Sequence, residues 1–518
     1  MLEYLLILAA LYFVWSLICL ECNYRRATSM GIPLVRLPVD SLNIPYTVIE
    51  PHLFKFLDLL PPFLLPEFVR YMRRGWFFID KADSHLRYGP IFACVTPRGI
   101  HIQVCDSEAI HDIFTRRLDF VRPTESYKLL EVYGPCISTA SLSEWPRHRK
   151  VLAAPFNESV MKFVWNESLK QTRQMIVSWT TPENATDGIF SVAKDTRTLS
   201  LNVLAAAGFR RSFNFRSSRA GKADTDSTSS YRNVLSTVLD NIIILMLIPH
   251  RYLSLPIFPK SLQRIGKAAT EYKTHIEQMF EEEMTAFKQG TQGAGGLMTS
   301  FVRALNTHEA SLEGPKQSWG LSMDDIYGNI FVINFAGHDT TANTLAFSLF
   351  LLATEPKVQE WVTEELRAVA LDEADWKYGR ISAPQRRLQV GDRSILIPAN
   401  TNTSPSILAV HTHPQHWSNQ LEWRPLRWIT VNNNHEESLI TPPRDTYFPW
   451  SDGPQNCPGV KFSQVEFAAV LALLMRNHQL TIVRQSGETE QQARRRVLAV
   501  VNDCDMQILL RMRDADRG

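Results

Sequence analysis

The sequence has little of what marks out most non-enzymatic classes. Its 518 residues contain no internal repeat, and 55 Lys and Arg against 53 Asp and Glu leave a formal charge of only +2. With no broad field of either sign, a basic nucleic-acid surface and an acidic tail are both excluded. Cysteine is sparse, with seven scattered residues: Cys19, Cys22, Cys94, Cys105, Cys136, Cys457 and Cys504. An odd number, with no Cys/His spacing typical of zinc, argues against a disulfide framework and for a reducing compartment. What is present is ordinary globular material, 45% hydrophobic and 21% charged. That balance rules out disorder, collagen-like repeats and coiled coil.

One apolar run stands out. Residues 4–20 contain a single strongly polar side chain, Ser16, and span roughly 25 Å as a helix, the lower limit for crossing a bilayer. Arg25 and Arg26 follow the run, whereas Glu3 is the only side-chain charge before it, which places the body on the cytosolic side. A signal peptide needs a basic leader and small residues at its cleavage site, and neither is here, so residues 1–24 read as an uncleaved membrane anchor. Residues 25–66, spotted with seven prolines from Pro33 to Pro66, read as a semi-rigid tether. Residues 67–518 form the remaining domain.

Within that domain, Ile91-Phe-Ala-Cys-Val and Ile100-His-Ile-Gln-Val, separated by Thr-Pro-Arg-Gly, predict a strand pair joined by a turn. Residues 106–208 carry mostly helical periodicity. The stretches 212–230 and 288–316, rich in polar residues, read as exposed or flexible segments. Residues 231–259 are unusually apolar. Their cluster Ile242-Ile-Ile-Leu-Met-Leu-Ile suits a greasy pocket entrance, a bilayer surface or plain core.

Ser322 with Asp325 three positions on has the form of a capping box, and Glu355-Pro356 supplies a stop. The helix between them is predicted at about 32 residues, ~48 Å. Its ends are apolar, but its centre, Ala336-Gly-His-Asp-Thr-Thr-Ala-Asn, is small and polar. Gly337 costs about 1 kcal/mol of helix propensity relative to Ala. Buried Asp339, Thr340 and Thr341 would each need a hydrogen-bond partner. Tight packing or a hydrated kink explains such a centre; so does a ligand lying against the small face of Ala336, Gly337 and Thr340.

A second motif, Phe448-Pro-Trp-Ser-Asp-Gly-Pro-Gln-Asn-Cys-Pro-Gly-Val, leads into an apolar-periodic segment from Phe462. Cys457 therefore falls at or just before a helix N-terminus, with Pro458 suited to the first helical position. The unpaired amides and the dipole there favour a thiolate. Such a thiolate suits a nucleophile, a zinc ligand or an axial ligand to haem iron. Zinc lacks partners at finger-type spacing, and no spacing identifies a histidine base.

Taken together, these features resemble the membrane-anchored cytochromes P450, haem-thiolate monooxygenases, and most of all those of filamentous fungi. The Cys457 loop resembles the family's haem-binding loop, and Ala336-Gly-His-Asp-Thr-Thr its oxygen-activating helix motif. Trp145-Pro-Arg-His-Arg149 matches the W-x-x-x-R pattern, and Trp423-Arg-Pro-Leu-Arg-Trp428 the segment bearing a structural arginine, here Arg427. The resemblance implies a mainly α fold with small β-sheets (α+β): a single large helical domain behind an N-terminal transmembrane helix. It implies haem b with Cys457 as the metal ligand, thiolate donation favouring O–O cleavage. Asp339 and Thr340 would relay protons. Trp145, His148, Arg149, Ala336, Gly337, Gln455 and Gly459 would line the cofactor. The implied partners are O2, a lipophilic small molecule, membrane lipid and an NADPH-cytochrome P450 reductase, with no nucleic acid. The implied protein is a monomer in the endoplasmic reticulum membrane, single-pass, with a cytosolic catalytic domain, acting in secondary metabolism. The alternatives are a haem-thiolate isomerase or dehydratase, and a non-catalytic membrane-attached remnant.

The sequence departs from the family twice. Gln455 stands where an arginine is usual, and can donate to a propionate without neutralising it. No Glu-x-x-Arg helix follows the segment 357–370. Glu364-Glu-Leu-Arg367 has the four-letter pattern but comes too early in the chain, as an i,i+3 pair. A segment is expected to be missing near residues 378–379, leaving Arg427 without its usual partners and haem incorporation poor.

Overall fold

The computed structural model describes residues 2–41, 43–182, 188–210, 212–215, 227–290, 296–312, 320–369, 395, 397–398, 401–433, 437–440, 442–443, 445–502 and 510–514. The chain divides into two compact units, Met1–Val121 with Ala383–Cys457, and Arg122–Ser382 with Pro458–Gly518. Helices predominate, with three small sheets among the described residues.

In the first unit the two apolar segments pair as expected. Strand β2 (Ile91–Val95) runs antiparallel to β3 (Ile100–Val104), with Ile91 opposite Val104, around the Thr96–Gly99 turn. Strand β1 (Leu34–Arg36) adds parallel to β2, and β4 (Asn402–Pro405) parallel to β3. The inward residues Val95, Ile100, Ile102 and Val104 share a core with Ile110, Val410 and Phe448. The last three matter for function, since they bring the Ser107–Thr115 helix, the Ile407–His411 helix and the start of the cysteine loop onto one sheet. Strands β5 (Ile429–Val431) and β6 (Glu437–Leu439) form a separate antiparallel pair.

The expectation of a single-pass anchor, with its address in the endoplasmic reticulum membrane, is corrected. Among the described residues no helix is long and apolar enough to cross a membrane. The apolar run of 17 residues falls short of the ~20 that span a bilayer core. The helix that contains it, Leu2–Thr28, continues through charged residues that bond into the fold. The Asn23 amide donates to the carbonyls of Thr96 and Pro97, Glu21 pairs with Arg25 and Arg36, and Ala27 is buried beside the sheet.

The second unit is built on the Met323–Thr354 helix, 32 residues as predicted. Ser322 caps it by accepting from the Asp325 amide while the Asp325 carboxylate accepts from the Ser322 amide. Its first half is buried against Tyr133, Tyr272, Phe301 and neighbours. Position 328 tolerates no side chain. A methyl group there would lie 2.2 Å from the carbonyl oxygens of Gly134 and Pro135. In an open helix Gly→Ala stabilises by about 1 kcal/mol. Here the sign reverses, and Gly328→Ala is expected to destabilise by about 1–3 kcal/mol, read as a lower denaturation midpoint.

Two expectations about segments change. The Leu297–Leu312 helix occupies most of the stretch read as flexible, because Leu297, Met298, Phe301 and Val302 recur at helical spacing and are buried. Residues 227–230 begin the Ser227–Asp240 helix rather than ending a loop. In the cluster 242–248, Leu245 is buried and Ile242, Ile244 and Ile248 pack on the core, while Ile243 and Leu247 are exposed. Glu364 and Arg367 lie on the Pro356–Val369 helix, directly after the long one. The junction near residues 378–379 lies outside the described residues.

The Val460–Asn477 helix carries a fully buried acid, Glu466. Burial pushes its carboxyl up to about 8, and the nearby Ser200 hydroxyl pulls it back only in part. Between the unfolded value of 4.5 and about 8, the folded chain keeps a proton that the unfolded chain has lost. Stability therefore falls as pH rises through that window, by at most about 1.4 kcal/mol per pH unit. Glu466→Gln, neutral at every pH, is expected to flatten that slope. Urea midpoints of the two proteins from pH 5 to 8 check it.

Candidate active site

Each part of the site follows from local chemistry within its own unit. In the first unit the cysteine loop begins at Phe448, whose amide donates to His411 Nε2 at 2.8 Å. The chain then turns, with the Ser451 amide on the Phe448 carbonyl at 3.1 Å and the Cys457 amide on the Trp450 carbonyl at 2.9 Å. Gly453 has φ +68° and approaches the Ser107–Thr115 helix so closely that a methyl group would lie 2.4 Å from the Phe114 oxygen. Only glycine satisfies both conditions. Gln455 is half-buried in the turn, and Cys457 at its end is an exposed free thiol. Gly459 is the N-cap residue of the Val460–Asn477 helix. Pro458 therefore precedes the cap instead of occupying the first helical position, and Cys457 lies two residues further out than that placement of Pro458 implied.

In the second unit the long helix is buried along most of its length, yet Ala336, Thr340 and Thr344 are exposed. Their spacing of four puts them in one stripe. Thr340 Oγ1 donates to the Ala336 carbonyl at 2.8 Å, and Thr344 Oγ1 to that of Thr340 at 2.8 Å, which keeps the hydroxyls folded against the helix. Gly337 is turned towards a neighbour: a methyl group there would lie 3.2 Å from Leu204 on the Val192–Phe209 helix. Its smallness serves that packing. Asp339 Oδ1 lies 2.6 Å from Arg197 Nε on the same neighbouring helix and 3.2 Å from His338 Nε2. His338 is buried and donates from Nδ1 to the Asn334 carbonyl at 2.8 Å; burial lowers its pKa, against the pull of Asp339.

The Trp145–Ala153 helix presents two faces. Trp145, buried, and Arg149, half-buried, are four apart on one. Arg147 and His148 turn to the start of the long helix. Arg147 Nη2 lies 3.2 Å from Asp325, and His148 Nδ1 accepts from Asn329 Nδ2 at 2.8 Å. Burial lowers the His148 pKa, opposed chiefly by Asp325. Asn329 also accepts from the Ile137 amide at 2.9 Å. It is a hub that no motif in the sequence announced, as are His111 and His411.

The chain's own chemistry suits an iron porphyrin. A soft sulfur donor stands exposed at the end of a turn closed on its own amide. A mostly buried helix keeps a stripe of small residues open, which a flat macrocycle can approach. Trp145 and Arg149 share one helix face and carry the N–H donors that propionates take. Arg427 donates to three carbonyls, those of Ser418, Asn419 and Glu422, and among the described residues has no carboxylate partner.

Comparison with known proteins agrees. The family model for cytochrome P450 matches residues 70–382 and 384–503. A cytochrome P450 monooxygenase of Arthrobotrys oligospora is 26% identical, over 95% of this chain and 93% of its own. The phomenoic acid biosynthesis cluster cytochrome P450 monooxygenase of Leptosphaeria maculans is 25% identical over 90% of each. Cytochrome P450 3A31 of Mesocricetus auratus is 22% identical, over 80% of this chain and 82% of its own. The family carries haem b on a cysteine axial ligand, and the mostly helical fold with small sheets is consistent with it. This chain belongs to the cytochrome P450 family and is a monooxygenase.

Proposed function

We propose that the chain inserts one oxygen atom into a lipophilic small molecule of fungal secondary metabolism, with Cys457 as the haem ligand. The observation that carries this reading is the open stripe of Ala336, Thr340 and Thr344 on a mostly buried helix that also holds the Asp339 carboxylate. Family membership and the name of the Leptosphaeria maculans relative support the substrate class. Two electrons from an NADPH-dependent reductase and two protons balance the reaction: one atom of O2 enters the substrate and the other leaves as water. Haem supplies the oxidising chemistry when bound.

The chain's own residues do the rest. Cys457 gives its sulfur to the metal. Trp145 and Arg149 hold propionates through N–H donors, Gln455 adding a neutral one. Gly459 lets the helix after the cysteine start without a side chain in the way, and Ala336 and Gly337 keep the long helix narrow. Asp339 and Thr340 pass protons inward: the carboxylate exchanges with solvent while the hydroxyl, held on the Ala336 carbonyl, turns to donate. His148, bonded to Asn329, sets the angle of the helix that bears Trp145 and Arg149.

The test uses purified protein, a reductase, NADPH and a fungal metabolite extract. Oxygen uptake that needs both reductase and NADPH, with a product gaining one oxygen atom from O2, is the expected result. Product formation without electrons would sink the proposal.

A further inference from the structure

We propose that His411 and His111 are positioning residues for Cys457, two rings that fix the Phe448–Cys457 turn from two helices of the same unit. This rests on the reading of Cys457 as the metal ligand. The first contact is at the entrance of the turn. Phe448 is 5% exposed, so its amide has little access to water, and His411 Nε2 at 2.8 Å is its acceptor. Burial lowers the His411 pKa to about 4, so the ring is neutral near pH 7, with its lone pair on Nε2 and its proton on Nδ1. The ring also lies nearly parallel to Phe448, with centroids 6.4 Å apart and planes at 16°, and 5.1 Å from the Tyr447 ring.

The second contact is at the middle of the turn. His111 Nδ1 is 2.5 Å from Asp452 and 3.3 Å from Asp445, residues that follow and precede Phe448 in the chain. The same helix carries Phe114, whose ring packs 5.9 Å from Phe448 and whose carbonyl limits residue 453 to glycine. Asp445 and Ser451 both have positive φ, 61° and 64°, a conformation that persists in non-glycine residues only where the surroundings over-determine it. Between them the two histidines supply that constraint. Phe448 then fixes Ser451, and the Trp450 carbonyl fixes the Cys457 amide, so a displacement at either ring is passed along a short hydrogen-bonded path to the sulfur.

The experiment uses the full chain with Cys457→Ala, His411→Phe, His411→Gln, His111→Leu and His111→Asn. Haem b is titrated into haem-free protein, and the reduced CO complex is scanned for its ratio of thiolate to thiol form. His411→Phe keeps the stacked ring and removes the acceptor; His111→Leu removes the ring's N–H. Each is expected to weaken haem binding on the order of tenfold and to shift the ratio towards thiol, His411→Phe because the buried Phe448 amide loses its acceptor and His111→Leu because the Ser107–Thr115 helix loses its polar tie to the turn. His411→Gln and His111→Asn, which can replace one polar atom each, are expected to recover most of the ratio. Wild-type affinity and ratio in both ring-replacing variants, with the thiolate form lost in Cys457→Ala, would overturn the proposal. So would equal loss in the paired variants that merely tracks a lowered melting temperature. Retention of the thiolate form in Cys457→Ala would instead overturn the ligand reading beneath it.

Discussion

Cys457→Ala is expected to lose the thiolate–CO band and all oxygen transfer, while the haem-free variant keeps the far-UV spectrum and melting temperature of the haem-free wild type. The two halves of that result have separate causes. The sulfur is the only soft donor at the end of the loop, and alanine offers no atom that replaces it. The fold is indifferent to the change because the side chain is exposed, and the bond that closes the loop runs from the Cys457 backbone amide to the Trp450 carbonyl, which alanine retains. Exposed substitutions of this kind usually lie within about 0.5 kcal/mol of wild type. A variant that still binds haem with the wild-type spectrum, or one that unfolds, contradicts the argument at one half or the other.

Periodicity and capping chemistry made the scaffold readable. The capping box at Ser322 and Asp325 and the stop at Glu355 place both ends of the long helix, because those signals are local and depend on no tertiary partner. The β2–β3 pair was legible for the same reason. The loop motif gave the position of Cys457, but not what holds the loop, since His111 is 341 residues from Asp452 in the chain and His411 is 37 from Phe448. Contacts at such separations leave no trace in spacing. The polar helix centre left packing and a ligand face both open, and spacing could not divide them: the missing side chain of Gly337 makes room for Leu204, while Ala336 and Thr340 keep the open stripe. The anchor failed on length, 17 apolar residues followed by side chains that belong to the sheet's edge. Arg427, expected to lose its partners, donates instead to three nearby carbonyls, a solution that hydrogen-bond chemistry permits and motif matching does not suggest.

Thr340→Val and Asp339→Asn are expected to uncouple electron use from product. General acid catalysis contributes on the order of 10²–10⁴-fold, so product formation in each should fall by about two orders of magnitude or more, while NADPH oxidation persists. The electrons must go somewhere: dioxygen that has gained two electrons and two protons without splitting leaves as hydrogen peroxide, and peroxide per NADPH should rise as product falls. Thr340→Ser, which keeps a hydroxyl four residues from the Ala336 carbonyl, should restore coupling. Stability does not confound the comparison. Asp339→Asn weakens a pair with Arg197, whose half-exposed guanidinium is screened by water, and such pairs contribute about 0–1 kcal/mol. Thr340 is exposed, and valine preserves its shape. Asp339→Asn should also enlarge the solvent deuterium isotope effect on product formation, because an amide slows proton transfer without altering the hydroxyl beside it. Unchanged coupling in both variants would remove these two side chains from the proton path and leave the polar centre of the long helix as a packing feature.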